Sequence, residues 1–277
     1  MKVITDEMTE RNINLEFLDA GDFVSDVVDA QDPVLNGKVV SWITKTAEEI
    51  YADFCSVRNL TKFRNLETKL SAIETSYEFK LQSSPLRNQQ ADAILVALTS
   101  CPTLRDLTLN GCKLSDSCLP QLTTCLSSLT SLTSLDLSLN MFSMEALNSL
   151  ASISIKSLKT LNFSRNMLGD RAVPDLFKAF PGLSRLSLKS CYLTSPRIPG
   201  AEKLEYLDVS LNQMSTSALT NLISKLSKSP ILLLRELTLP CNDATKSVLA
   251  AAWSEAFADK AESQTDSNDS IVLSLKY

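Results

Sequence analysis

Apolar residues recur along this chain in one fixed order. In residues 104–114, LRDLTLNGCKL, they fall at Leu104, Leu107, Leu109 and Leu114, with Cys112 set between the last two. The same order returns in Leu132, Leu135, Leu137, Asn140 and Phe142, and again in Leu158, Leu161, Phe163, Asn166 and Leu168. It continues through Leu183, Leu186, Leu188, Cys191 and Leu193, then Leu204, Leu207, Val209, Asn212 and Met214. A sixth copy, Leu234, Leu237, Leu239 and Asn242, loses its last apolar position to Ala244; a degenerate copy, Phe79, Leu81, Ser84 and Leu86, stands first. Alternation of apolar and polar positions within each copy predicts a short half-buried strand. Apolar residues at helical spacing follow most copies: Leu119, Leu122, Leu126 and Leu129; Met144, Leu147 and Leu150; Val173, Leu176, Phe177 and Phe180; Leu219, Leu222, Ile223 and Leu226. Ser115 or Asp116, Ser143, Asp170 and Ser215 precede these sets as candidate N-caps. Pro120 and Pro174 fall near the helix starts, where a missing N–H does least harm.

This order, L-x-x-L-x-L-x-x-(N/C)-x-L, resembles the leucine-rich repeat. The resemblance implies an α/β solenoid with a parallel concave sheet and convex helices, here of six to seven repeats. Equivalent positions Leu81, Leu109, Leu137, Phe163, Leu188, Val209 and Leu239 are separated by 28, 28, 26, 25, 21 and 30 residues. Periods near the longest of these, with a helix in each repeat, are similar to the ribonuclease-inhibitor-like class. The shortest step contains SPRIPGAEK, so a loop is expected there in place of a helix. Motif positions 1, 4, 6 and 11 point inward; positions 3, 5, 7 and 8 face outward from the concave sheet. Asn140, Asn166, Asn212 and Asn242, with Cys112 and Cys191, occupy position 9, where a side chain can satisfy backbone groups left unpaired by the turn.

Four segments are expected. Residues 1–43 alternate briefly (Ile13, Leu15, Phe17), carry a turn-like apolar set (Phe23, Val27, Val28) and end in KVVSWI. That strand–turn–strand order matches the second half of a ubiquitin-like domain or, equally, an irregular tail. Half such a domain cannot bury a core alone, so the chain is expected to be the C-terminal piece of a longer protein or a shortened one. Residues 44–74 read as a helical cap, with Ala47, Ile50, Tyr51 and Phe54 and then Leu60, Phe63, Leu66, Leu70 and Ile73 as apolar stripes. An exposed array end needs such a cover. Residues 75–242 hold the repeats. Residues 243–277 are expected to close the array with a helix (Val248, Leu249, Ala252 and Trp253 inward) and a strand, IVLSLK, that shields the sheet edge.

Composition then narrows the chemistry. Hydrophobic residues make up 44% of the chain and aromatics 6%, so aliphatic side chains build the core. The formal charge of −5 makes generic nucleic-acid binding a poor expectation, because that rests on neutralising phosphates. The chain has no His, which removes most acid–base triads and the commonest metal ligand. Seven Cys form no C-x-x-C pair and suggest reduced, buried thiols in an intracellular protein. No signal-peptide pattern, membrane-spanning run, phosphate loop or metal-ligand cluster is present in the sequence. A non-catalytic protein without a cofactor is therefore expected. Asp136 and Asp208 share motif position 5, but two repeats separate them, so a carboxylate pair is a remote reading.

What remains is surface. Arg165, Arg185 and Lys189 are expected to cluster on the concave face, flanked by the acidic repeats of Asp136 and Asp208. Asn162 lies among them, and Leu139, Tyr206 and Leu211 are outward apolar groups nearby. Arg and Tyr are enriched where interfaces concentrate their binding energy, so these nine residues are the candidate partner-binding set.

Beyond the repeat motif, the order of segments resembles the C-terminal region of the Tonsoku-like family. The residues that carry this are D-x-V-x-D-V-V near Asp22 to Val28, Ser41-Trp42 after a strand, the helical spacer, and the repeats CPTLRDLTLNGCKLSDSCLPQL and SLKTLNFSRNMLGDRAV. The resemblance implies a nuclear scaffold for replication-fork maintenance and homologous-recombination repair. It also implies a large replication-repair partner of the methyl-methanesulfonate-sensitivity type; from charge and hydropathy, no direct nucleic-acid or membrane contact is expected. The family's ankyrin and tetratricopeptide repeats are absent from this sequence, so histone recognition does not carry over. Competing readings are a tropomodulin-like actin regulator, an innate-sensor fragment and a ubiquitin-ligase substrate adaptor, although no F-box pattern is present.

Overall fold

A computed structural model describes residues 45–200, 203–228, 233–262 and 272–276. The expected strands and turn of residues 1–43 lie outside the described residues. Eight strands form one sheet in chain order, all neighbours parallel. They are β1 (Glu78–Gln82), β2 (Asp106–Asn110), β3 (Ser134–Asp136), β4 (Thr160–Asn162), β5 (Arg185–Ser187), β6 (Tyr206–Asp208), β7 (Glu236–Pro240) and β8 (Val272–Lys276). Leu107, Leu135, Leu161, Leu186, Leu207 and Leu237 stand side by side across β2 to β7, so the motif sets the register. All six are at most 1% exposed. The chain is thus an α/β leucine-rich-repeat solenoid.

Ahead of the first strand lie α1 (Ala47–Val57), α2 (Arg64–Ser71) and α3 (Ile73–Ser76). Thr46 and Glu49 form a reciprocal capping box at the start of α1. Ala47, Tyr51, Cys55, Leu66, Leu70 and Ile73 are buried in the same core as the repeats. Phe63 is 41% exposed, contrary to the expected stripe, because it sits at the N-cap of α2, where its N–H bonds the Tyr51 hydroxyl.

Helices α4 (Asn88–Leu98), α5 (Leu119–Ser128), α6 (Met144–Leu150), α7 (Val173–Ala179) and α8 (Thr216–Ser227) return the chain between strands. Ser143 and Ser215 cap α6 and α8, their hydroxyls accepting from Glu145 N and Ala218 N. Asp116 and Asp170 are not caps. Asp116 accepts from the N–H and hydroxyl of Ser143, and Asp170 from Thr194 and Ser195, so each carboxylate joins its repeat to the next. Met144 points outward at 36% exposed, since it opens α6 ahead of the buried Leu147 and Leu150. Between β5 and β6 the short Pro-rich connection holds no α-helix among its described residues, and a groove of about 720 Å³ opens there against α8.

The position-9 side chains divide into two chemistries. Asn140 Oδ1 accepts from Cys112 N and Leu114 N of the preceding repeat, while Nδ2 donates to Leu109, Leu137 and Ser138 carbonyls. Asn212 repeats the arrangement against Cys191, Leu193, Leu188, Val209 and Ser210. A thiol can donate but is a poor acceptor. Cys112 and Cys191 donate to Leu81 O and Phe163 O, and the missing acceptor is replaced by backbone. The following residues, Lys113 and Tyr192, have φ of 58° and 61°, and the carbonyls of Cys112 and Cys191 accept from Leu86 N and Gly169 N. Asn242 departs from the ladder. It is exposed, and its Oδ1 accepts from Thr245 N at 2.9 Å while its N–H donates to Thr245 Oγ1. The chain enters α9 (Asp243–Glu262) at once, so Asn242 caps that helix. Leu249 and Phe257 of α9 are buried, whereas Val248 is 46% exposed. β8 runs parallel to β7 across five residue pairs.

Candidate functional site

The register places the concave side chains in rows. One row runs Ser134, Thr160, Arg185, Tyr206, Glu236; the next runs Asp136, Asn162, Ser187, Asp208, Thr238. In the second row the carboxylates and amides are turned onto their own backbone. Asp136 Oδ1 accepts from Ser138 N at 2.8 Å, Asn162 Oδ1 from Ser164 N at 3.1 Å and Asp208 Oδ1 from Ser210 N at 2.8 Å. These position-7 N–H groups need such partners: the position-6 carbonyls Leu109, Leu137 and Leu188 are engaged by the Asn ladder of the next repeat. Asp136 Oδ2 further accepts from Asn162 Nδ2, and Asn110 Nδ2 reaches Ser138 Oγ.

Not every concave position faces solvent as expected. Asp208 is 5% exposed and Ser210 and Thr238 are fully buried, with Ser138 and Ser164 below one tenth. The hydroxyls of Ser210 and Thr238 have no hydrogen-bond partner among the described residues.

The candidate set therefore separates. Asp136 and Asn162 link β3 to β4, and Asp208 braces its own strand. Arg185 instead projects, its guanidinium 4.7 Å above the Tyr206 ring centre. Tyr206 OH lies 3.5 Å from Asp208 Oδ2. Burial, then the charges of Asp208 and Glu236, push the Tyr206 hydroxyl above its ordinary pKa, so it stays a neutral donor. Arg165 is exposed and Lys189 half-buried, and neither is in an ion pair among the described residues. Their backbones meet directly, Arg165 N donating to Lys189 O at 2.8 Å.

Position 8 carries a second regularity. Ser83, Gly111, Leu139, Arg165, Ser190 and Leu211 all have φ between 49° and 64°. The left-handed turn sends the chain out of the sheet, and it lifts Leu139 and Leu211 to 45% and 41% exposure. Residues missed by the sequence reading lie two positions on. Met141, Met167 and Tyr192, at motif position 10, are 50%, 56% and 64% exposed. The available signal was a large apolar side chain at a position that the motif leaves outward.

Burial holds the thiols in their protonated form. Cys101, Cys112 and Cys191 are pushed up to about 11 and Cys118 to about 12. Such thiols are packing groups and weak donors, far from the thiolate that a nucleophile needs.

A family model described as "Leucine Rich repeat" matches residues 128–151, which run from the end of α5 through β3 and α6. The Tonsoku-like protein of Mus musculus is 29% identical over 245 residues, covering 82% of this chain and 18% of the mouse protein. That of Bos taurus is 29% identical over 178 residues, 61% of this chain and 13% of its own. That of Danio rerio is 26% identical over 168 residues, 57% and 12% respectively. The chain thus spans less than a fifth of the relatives it matches. Repeats of this kind and these relatives support a repeat-based protein-interaction scaffold. Among the described residues no helix is long and apolar enough to cross a membrane. Taken with the register of the repeats, these likenesses support the chain's similarity to a Tonsoku-like leucine-rich-repeat region.

Proposed function

We propose that this chain is a non-catalytic scaffold in replication-fork maintenance and homologous-recombination repair in the nucleus. Its partner is a large replication-repair protein of the methyl-methanesulfonate-sensitivity type. Arg165, Arg185, Lys189 and Tyr206 form the contact, with Leu139 and Leu211 beside them. Asp136, Asn162 and Asp208 set the shape of the surface beneath. Helices α1 to α3 cap one end of the array, and α9 with β8 caps the other.

The observation that carries this reading is the Arg185–Tyr206 stack, with Lys189 further along the same repeat and bonded through its carbonyl to Arg165 N. These cations are spent on no ion pair within the described fold, and one rests on an aromatic face. A guanidinium over a ring, its polar edge open, is a common way to present an interface anchor.

The test is affinity capture from nuclear extract, read by mass spectrometry, with wild type beside an Arg165→Glu/Arg185→Glu/Lys189→Glu variant. Replication-repair proteins recovered by wild type and lost from the folded variant support both role and surface. Recovery that survives the variant moves the contact off the concave face. Recovery of actin or ligase subunits instead overturns the role.

A further inference from the structure

A run of exposed apolar side chains among the described residues lies outside the concave sheet, on the rim just past the C-terminal ends of the strands. Met141, Met167 and Tyr192 come from three consecutive repeats at the same motif position, and each is at least half exposed. Leu139 and Leu211 flank them from position 8. The bridge between Ser143 and Met167 sets Met167 beside the start of α6, where Met144 is exposed as well. A soluble surface scatters such groups singly; a contiguous row marks an interaction site.

Backbone geometry fixes the row. Met141 N and Met167 N donate to Leu114 O and Phe142 O of the preceding repeats, and Tyr192 sits in the left-handed turn after Cys191. The side chains are therefore held outward by hydrogen-bonded backbone. No core position is open to them, since positions 9 and 11 on either side are filled by Asn140 and Phe142, Asn166 and Leu168, and Cys191 and Leu193.

We infer that this rim binds an amphipathic helix of a partner protein, acidic on its flanks. Two features select that occupant. The first is spacing. Equivalent residues in adjacent parallel strands recur at about 4.8 Å, and an α-helix advances about 5.4 Å per turn. A helix laid across the strands meets Met141, Met167 and Tyr192 with one apolar residue per turn. Two methionines suit this, because an unbranched thioether adapts to the contour of an opposing ridge. The second is charge. Positions 8 and 10 of these three repeats and the one before them carry two cations, Lys113 and Arg165, and no carboxylate, in a chain of net charge −5. Neither cation is in an ion pair among the described residues. Acidic residues flanking the helix's apolar stripe complement them.

The inference goes beyond the concave reading, because Met141, Met167 and Tyr192 are no part of that surface. The test pans a displayed library of peptides of ~16 residues, about four helical turns, on the full chain. Recovered peptides are then measured against Met141→Glu/Met167→Glu/Tyr192→Glu and, separately, Arg185→Glu/Lys189→Glu. The expected result is enrichment of Asp and Glu around apolar residues at i, i+3, i+4 and i+7. Affinity should fall at least about tenfold in the rim variant and stay unchanged in the concave one. Melting temperatures check that both variants fold; Met141→Gln/Met167→Gln is the milder substitute. Recovered peptides that bind the rim variant as wild type, or a selection without acidic helices, overturn the inference. So does concentration-dependent self-association lost in the rim variant, which would make a second copy the occupant.

Discussion

Asn212 Oδ1 accepts the backbone N–H of Cys191 at 2.8 Å, so the two chemistries of the position-9 ladder meet at one hydrogen bond. Asn serves backbone on both sides of itself, whereas Cys only donates. Their removal should therefore differ in cost. Asn212→Ala strands the N–H groups of Cys191 and Leu193 along with the carbonyls of Leu188 and Val209, all buried; the Ser210 carbonyl keeps Ser190 N. Each unsatisfied buried group costs roughly 1–3 kcal/mol, so Asn212→Ala should cost about 3 kcal/mol or more. Cys191→Ala loses a weak thiol donor and should cost about 1 kcal/mol. Urea unfolding of the two variants, with equal slopes, measures the difference.

The left-handed backbone at position 8 separates folding from recognition. A non-Gly residue in that conformation carries a penalty of roughly 1–2 kcal/mol, and Gly111 already stands there in one repeat at φ 64°. Arg165→Gly should leave stability unchanged or raise it by up to about 1 kcal/mol, while removing a proposed contact. Arg165→Val should destabilise, since a β-branched side chain tolerates positive φ poorly. Thermal melts of the pair check the sign.

Leu161 is fully buried between Leu135 and Leu186 in the strand register. Leu161→Ala should cost about 2–5 kcal/mol through lost contacts and the cavity left behind. An unchanged melting temperature would be incompatible with this register.

Alkaline pH should unfold the protein earlier than its carboxylates would suggest. Burial pushes the Cys101, Cys112 and Cys191 thiols up to about 11, and Cys118 and the Tyr51 hydroxyl up to about 12. In the unfolded chain the same groups ionise near 9 for Cys and 10 for Tyr. The folded state holds these protons more tightly, so their contribution is complete below about pH 9 and is lost as pH rises through 11 to 12. Melting temperature against pH should fall across that window. A flat profile to pH 12 would contradict the burial of these groups.

Much of the fold was legible because one spacing repeats. Leu107, Leu135, Leu161 and their equivalents occupy the strand positions that the motif assigns, and the Pro-rich step after Leu193 holds no α-helix among its described residues, as its length and two prolines imply. The failures were local competitions. Asn242 matched the ladder by position, but the helix starting at Asp243 took its side chain as a cap. Asp116 and Asp170 looked like caps and instead reach across to the next repeat, a contact that no single repeat reveals. Val248 fitted a helical stripe, but only Leu249 reaches the core on that turn. Concave Asp208, Ser210 and Thr238 alternate outward by pattern, yet they are buried, Asp208 with its carboxylate turned onto Ser210 N. The rim of Met141, Met167 and Tyr192 stayed hidden because the motif is silent about position 10.

If the concave cations hold a protein partner, a binding isotherm between the chain and the replication-repair protein recovered by capture, at low and at high salt, will show it. Exposed cations are screened by salt, with a Debye length of about 10 Å at 0.1 M falling to about 3 Å at 1 M. The account predicts binding that weakens with salt and is lost in a folded Arg165→Glu/Arg185→Glu/Lys189→Glu variant. Binding that is indifferent to both salt and the three substitutions would contradict it.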